Sequence, residues 1–80
     1  MKEFLSLFYT HSGAIKFQRA IEGKGMSGEL MPVPRKLSSN CGIGCRFSYE
    51  EPIENLISEE IEKIFEIKDK EYIMVYEEEE

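Results

Sequence analysis

Pro52-Ile53-Glu54-Asn55-Leu56-Ile57-Ser58-Glu59-Glu60-Ile61-Glu62-Lys63-Ile64 spaces its apolar residues as a helix does. Ile53, Leu56, Ile57, Ile61 and Ile64 mark one face of such a helix, interrupted only at Glu60. Pro52 suits a first helical turn, where its missing N–H has no intrahelical partner to lose. Read this way, the segment is a core-forming helix. The next apolar run, Tyr72-Ile73-Met74-Val75-Tyr76, is then the last strand of the chain.

The elements before it follow by the same reasoning. Phe4-Leu5-Ser6-Leu7-Phe8-Tyr9 is an aromatic-rich run suited to a central, largely buried strand. Thr10-His11-Ser12 offers hydroxyls to cap a helix from Ser12 to about Glu22, with Ala14, Phe17 and Ile21 at helical spacing. Gly23-Lys24-Gly25 stops that helix. Gly28 to Val33 reads as a second strand. Pro32 and Pro34 lack donor N–H groups, which places it at a sheet edge. After a loop from Pro34 to Gly44, Cys45-Arg46-Phe47-Ser48-Tyr49 alternates as a third strand. The order β-α-β-β-α-β predicts an α+β fold, the ferredoxin-like sandwich. In it, two helices cover one face of a four-stranded antiparallel sheet.

Composition bounds what such a chain can do. Its 80 residues form one small domain with a modest core, assigned here to 1–76. The net charge is −6, but Glu77 to Glu80 supply four of the negatives and leave −2 for residues 1–76. The acidity is largely that of a solvated tail, 77–80. No basic face is broad enough for nucleic acid. No apolar run approaches the roughly 20 residues that span a membrane, and the start lacks a signal-peptide pattern, so a cytoplasmic protein is expected. Two cysteines are too few for a secreted disulfide scaffold. In a reducing compartment they read as reactive, metal-binding or buried thiols.

The expected topology has a functional consequence. With the first strand running upward, a right-handed crossover returns the second strand upward as well. The loops Thr10 to Gly13, Pro34 to Gly44 and Glu66 to Glu71 then meet at one end. They would gather Cys41, His11, Arg35, Lys36, Arg46, Lys68 and Lys70 into a locally basic site beside a helix N-terminus.

Cys41 is the centre of that site. It lies in a Gly/Ser/Asn loop, with basic residues on both sides and a proline-stiffened approach, which displays a thiol and favours its thiolate. Gly42 leaves conformational freedom and room for a partner. Ser38, Ser39 and Asn40 offer donors for a thiolate or a persulfide anion. Cys45 reads either as a core-facing strand residue, or as a resolving thiol or second metal ligand, because the Gly42-Ile43-Gly44 link can fold back. His11 is an acid/base or thiolate-stabilising candidate, or a polar residue at a helix start. Arg35, Lys36 and Arg46 are candidates for anion stabilisation or partner docking, or solvated charges. No zinc spacing is present. Two cysteines and one histidine cannot complete a four-ligand site in one chain, though a dimer could, so no metal or other cofactor is assigned.

The run Met31-Pro32-Val33-Pro34-Arg35-Lys36-Leu37-Ser38-Ser39-Asn40-Cys41-Gly42, followed by Arg46-Phe47, resembles the signature of the small selenium/sulfur carrier-like proteins of prokaryotes. Thr10-His11-Ser12 with Ala14-Ile15-Lys16 resembles their first helix entry. The resemblance implies that Cys41 carries the atom, as a persulfide or selenenylsulfide. It would receive it from a cysteine desulfurase or selenium donor and hand it to an acceptor enzyme. This is group carriage rather than catalytic turnover. Cys45 departs from the pattern, where a small or aliphatic residue is usual, which leaves open a disulfide cycle. A second reading belongs to a different class: a small regulatory or protein-interaction domain, self-pairing as a homodimer or binding a partner, with redox-sensing or structural cysteines.

Overall fold

The computed structural model describes residues 2–37 and 41–78. In chain order the elements are β1 (Lys2–Phe8), α1 (His11–Glu22), β2 (Gly28–Pro32), β3 (Ile43–Tyr49), a 3₁₀ turn (Ile53–Leu56), β4 (Ile61–Lys68) and β5 (Glu71–Glu77). The five strands form one sheet in the order β2-β3-β1-β4-β5, with every neighbouring pair antiparallel.

β1 is the middle strand, and its apolar run serves both faces. Phe4 and Phe8 join the cluster under α1, while Leu5 and Leu7 join a smaller cluster on the other face. Ser6 is fully buried among them, and its hydroxyl donates to the Cys45 carbonyl at 3.3 Å. α1 starts where the hydroxyls predict. Thr10 Oγ1 accepts from Gly13 N at 3.0 Å, and Ala14, Phe17 and Ile21 are buried. Phe17 packs between Phe8 and Phe47, with ring centroids 5.2 and 5.3 Å away. Beneath the helix Gly28 allows close approach, since a Cβ there would lie 2.6 Å from Ile21 Cδ1 and 3.1 Å from Cys45 Sγ. β2 lies at a sheet edge, as its prolines require.

The expected second helix and four-stranded ferredoxin-like layout are not formed. The fold is α+β, with five strands and one α-helix among the described residues. Ile53 to Leu56 make a single 3₁₀ turn, which sets Leu56 in the core with Ile53 and Ile57 against it. The backbone is extended at Ile57. Ile61 N bonds Ser58 O at 3.1 Å, and β4 begins there.

The helical spacing of Ile61, Ile64 and Phe65 has another cause. A register shift in the β1–β4 ladder sets Phe8 opposite Ile61 and Leu7 opposite Lys63, so Glu62 is an extra, bulged residue. The bulge turns Ile61 and Ile64 to the same face although they are three apart, and both enter the cluster under α1. Phe65 turns to the opposite face, beside Leu5 and Leu7. A bulged strand buried on both faces thus imitates the i, i+3, i+4 pattern. β-branched isoleucines favour that strand.

β4 reverses into β5 at Asp69-Lys70, whose φ values are +52° and +66°. Lys68 and Glu71 face each other across this two-residue turn, the geometry of a type I′ hairpin. The glutamate run is part of the sheet at its start. Glu77 closes β5, and Glu78 N donates to Glu62 O at 3.1 Å. The face away from α1 is partly covered by the segment after β2, where Val33 and Leu37 pack against Leu5, Leu7 and Phe65.

Candidate functional site

The β2–β3 ladder ends with Pro32 opposite Ile43, and one further bond, Val33 N to Gly42 O at 3.0 Å, extends it. Cys41 is the residue just beyond that bond. Gly42 has φ +77° and nothing within 4 Å of its missing Cβ. The need for glycine there is therefore one of backbone conformation, not space. Cys41 is a free, half-buried thiol against the rim of the cluster under α1. Its Sγ donates to Ile43 O at 3.2 Å.

His11, the first residue of α1, is exposed, and its Nε2 lies 2.8 Å from the Cys41 carbonyl. Because a carbonyl only accepts, Nε2 must carry a proton. His11 therefore holds the backbone of the cysteine rather than its sulfur. The expected meeting of Cys41 and His11 at one end occurs, and it sets Cys41 beside the start of α1.

The expected basic surround does not assemble. β4 runs antiparallel to β1, with Ile61 opposite Phe8 and Ile67 opposite Glu3. The Lys68–Lys70 turn accordingly lies at the opposite end of the sheet from Cys41, and Glu66 to Glu71 does not join the site. Arg46 lies within β3, opposite Leu5 and so on the face away from α1. Its Nη2 donates to Glu3 Oε2 at 2.6 Å. That hydrogen bond and the charge of Glu3 hold the guanidinium above its ordinary pKa. Lys36 Nζ is 5.1 Å from the centroid of the Tyr72 ring, on the face away from α1. Arg35 is exposed on the turn closed by Leu37 N to Pro34 O at 2.9 Å. Ser38, Ser39 and Asn40 lie outside the described residues.

Cys45 is completely buried under α1. Burial, with the charge of Glu22 adding to it, pushes its thiol up to about 11. Ile43-Gly44-Cys45 is extended strand, which by itself covers about 6.6 Å at the usual rise. Folding back onto Cys41 would require unpairing the start of β3. The geometry packs Cys45 as a core residue of the cluster under α1, with Cys41 against the same cluster. Among the described residues no group of three or more His, Cys, Asp and Glu side chains could hold a metal.

Two neighbours of the site were not legible in the sequence. Glu60, the residue that breaks the apolar face of the supposed helix, reaches the start of α1. A Cβ on Gly13 would lie 2.8 Å from Glu60 Oε2, and Lys16 Nζ is 3.6 Å from Glu60 Oε1. A carboxylate there suits the positive end of the helix. The second is the Ile43 carbonyl, for which a sequence carries no signal. The end of the sheet around Cys41 is thus mixed in charge.

Among the described residues no helix is long and apolar enough to cross a membrane. No solved structure matches the chain. A curated relative, the uncharacterized protein YtiA of Escherichia coli strain K12, is 40% identical over 43 residues. That alignment covers 54% of this chain and 51% of YtiA, so the chain spans about half the length of that relative. A family model described as "Putative Se/S carrier protein-like" matches residues 3–69, which takes in β1 through β4, α1, Cys41 and His11. By that match the chain belongs to the Se/S carrier protein-like family.

Proposed function

We propose that Cys41 carries sulfur or selenium as a persulfide or selenenylsulfide between a donor and an acceptor enzyme. In the sulfur case the Cys41 thiolate attacks the outer sulfur of a donor persulfide. A new S–S bond forms at Cys41, and the donor cysteine leaves as a thiolate. Delivery is the reverse attack, by an acceptor nucleophile on the outer sulfur. A cysteine desulfurase is the natural class of sulfur donor, and a selenium-supplying enzyme its counterpart.

One observation carries the reading. Of the two cysteines, only Cys41 is accessible, and it sits where the β2–β3 connection enters β3, with two successive carbonyls held. His11 bonds its carbonyl, and Val33 bonds the next one. A carrier needs a thiol that a partner can reach without the fold opening, and membership of a carrier-like family supports the same role. The Sγ–Ile43 O hydrogen bond belongs to the thiol, so loading requires the side chain to release it.

The test is intact mass spectrometry after incubation with a cysteine desulfurase and cysteine. One sulfur should be gained, reversed by reductant, absent in Cys41→Ser and retained in Cys45→Ala. A mass gain that persists in Cys41→Ser would refute the assignment. No gain with any sulfur or selenium donor would favour a regulatory or interaction domain with inert cysteines.

A further inference from the structure

Cys41 shares its surroundings with an apolar cleft. Leu30, Cys41 and Ile43 all pack, half-buried, against the rim of the cluster under α1. Pro32 stands opposite Ile43 at the end of the β2–β3 ladder, and there Leu30, Met31, Pro32 and Ile43 line a cleft of about 180 Å³. None of these four side chains can ionise or donate a hydrogen bond, and Pro32 has no backbone N–H to offer. An occupant is therefore recognised by shape and apolar contact. The volume is below the roughly 300 Å³ at which small-molecule pockets begin. It suits a single side chain rather than a cofactor, as do the pockets that anchoring residues of a protein partner fill.

Ile43 links the cleft to the thiol. It lines the cleft, and its carbonyl accepts from Cys41 Sγ at 3.2 Å. In the unloaded protein the sulfur thus rests against a residue of the cleft. The donor is the partner that meets the carrier in that state. An acceptor meets a loaded arm, longer by one S–S bond of about 2 Å and no longer bonded to Ile43. A donor persulfide within reach of Sγ brings the residues around its own cysteine over Leu30, Pro32 and Ile43.

We propose that this cleft seats one aliphatic or aromatic side chain of the sulfur donor, beside its persulfide-bearing cysteine, and so aligns the two sulfurs for transfer. This seat rests on the carrier reading of Cys41. Pro32 forms its exposed wall, at the end of an edge strand, so substitutions there leave the core in place.

Initial rates of Cys41 loading test it with two sulfur sources. One is a cysteine desulfurase with cysteine, and the other is sodium tetrasulfide, a small polysulfide that needs no docking. In Pro32→Glu, loading from the desulfurase should fall at least about tenfold, as for the loss of an anchoring contact, while loading from tetrasulfide stays within about twofold. Pro32→Val keeps an apolar wall and restores the N–H, and it should load from both sources as the wild type does. The seat is overturned, and the carrier reading kept, if the desulfurase loads Pro32→Glu as fast as the wild type. The same holds if Pro32→Val is as slow as Pro32→Glu, or if tetrasulfide loading falls in parallel. It is also overturned if tetrasulfide loads the wild type and the desulfurase does not. Failure of the wild type to load from either source overturns the carrier reading itself, and the seat with it.

Discussion

His11 Nε2 and the Cys41 carbonyl oxygen are 2.8 Å apart across thirty residues of sequence. This bond ties the start of α1 to the turn that opens β3. Its partner side chain is exposed, so its net contribution to stability is about 0.5–1 kcal/mol. His11→Ala should lower stability by no more than that. It should nevertheless speed amide exchange at Cys41 and Gly42 several-fold and leave exchange in β1 unchanged. An exchange rate at Cys41 that does not move would mean that the turn is held by Val33 alone.

The two thiols should separate cleanly in reactivity. At pH 7–8 iodoacetamide should modify Cys41 in the folded protein while Cys45 reacts only after denaturation, because Cys45 is buried and protonated. Peptide mapping after brief alkylation checks this. Comparable labelling of both residues in the native state would contradict the packing of β3 under α1.

Cys45 also predicts a pH dependence of stability. Its folded pKa is raised from 9.0 to about 11, so unfolding releases a proton in between. The stabilisation from keeping it neutral is complete below pH 9 and is lost as pH rises toward 11. Its size is at most roughly 2–3 kcal/mol. Urea denaturation from pH 8 to pH 11 should show this decline, and Cys45→Ala should flatten that part of the profile while lowering stability overall. A wild-type profile as flat as that of the variant would refute it.

β4 and β5 offer a paired test of burial. Ile64→Ala should cost about 2–4 kcal/mol, since the side chain is fully buried under α1. Ile73→Ala, at 46% exposure on β5, should stay within about 0.5 kcal/mol. Equal effects in denaturant titrations would place the core elsewhere.

The hairpin turn can be improved. Lys70 holds φ +66° without being glycine, a conformation that costs a residue with a side chain about 1 kcal/mol. Lys70→Gly should therefore raise the denaturation midpoint, by a few tenths to about 1 kcal/mol, once glycine's larger unfolded-state entropy is counted. Gly42→Ala should do the opposite, since φ is +77° there. A destabilising Lys70→Gly would mean that the turn is not the I′ type.

The first half of the chain was legible because its signals are local. Thr10 caps, Ala14, Phe17 and Ile21 keep helical period, and prolines mark β2 as an edge. The second half failed where Ile53–Leu56 make only a 3₁₀ turn, and again at Glu62. A bulge there changes strand period 2 into an apparent helical spacing, and nothing in the composition of Ile61-Glu62-Lys63-Ile64 announces it. Lys70 hid the hairpin as well, because a two-residue turn normally advertises itself with glycine. For the site, the meeting of Cys41 with His11 followed from the split crossover, which is correct. The placement of Lys68 and Lys70 followed from the missing helix and failed with it. Arg46 was read as a candidate without its partner Glu3, which lies on another strand and has no sequence neighbour to betray it.

Cys41 Sγ is tethered to the carbonyl of a residue only two positions ahead. Tucking the sulfur against the protein and offering it to a visitor therefore differ by rotation about a single bond, with the turn itself standing still. Such a rotation takes picoseconds to nanoseconds, far faster than any encounter between two proteins at cellular concentrations. An atom loaded at that position would extend the arm by about one S–S bond length, 2 Å. If Cys41 carries an atom as proposed, its transfer would be paced by how often donor and acceptor arrive rather than by that rotation.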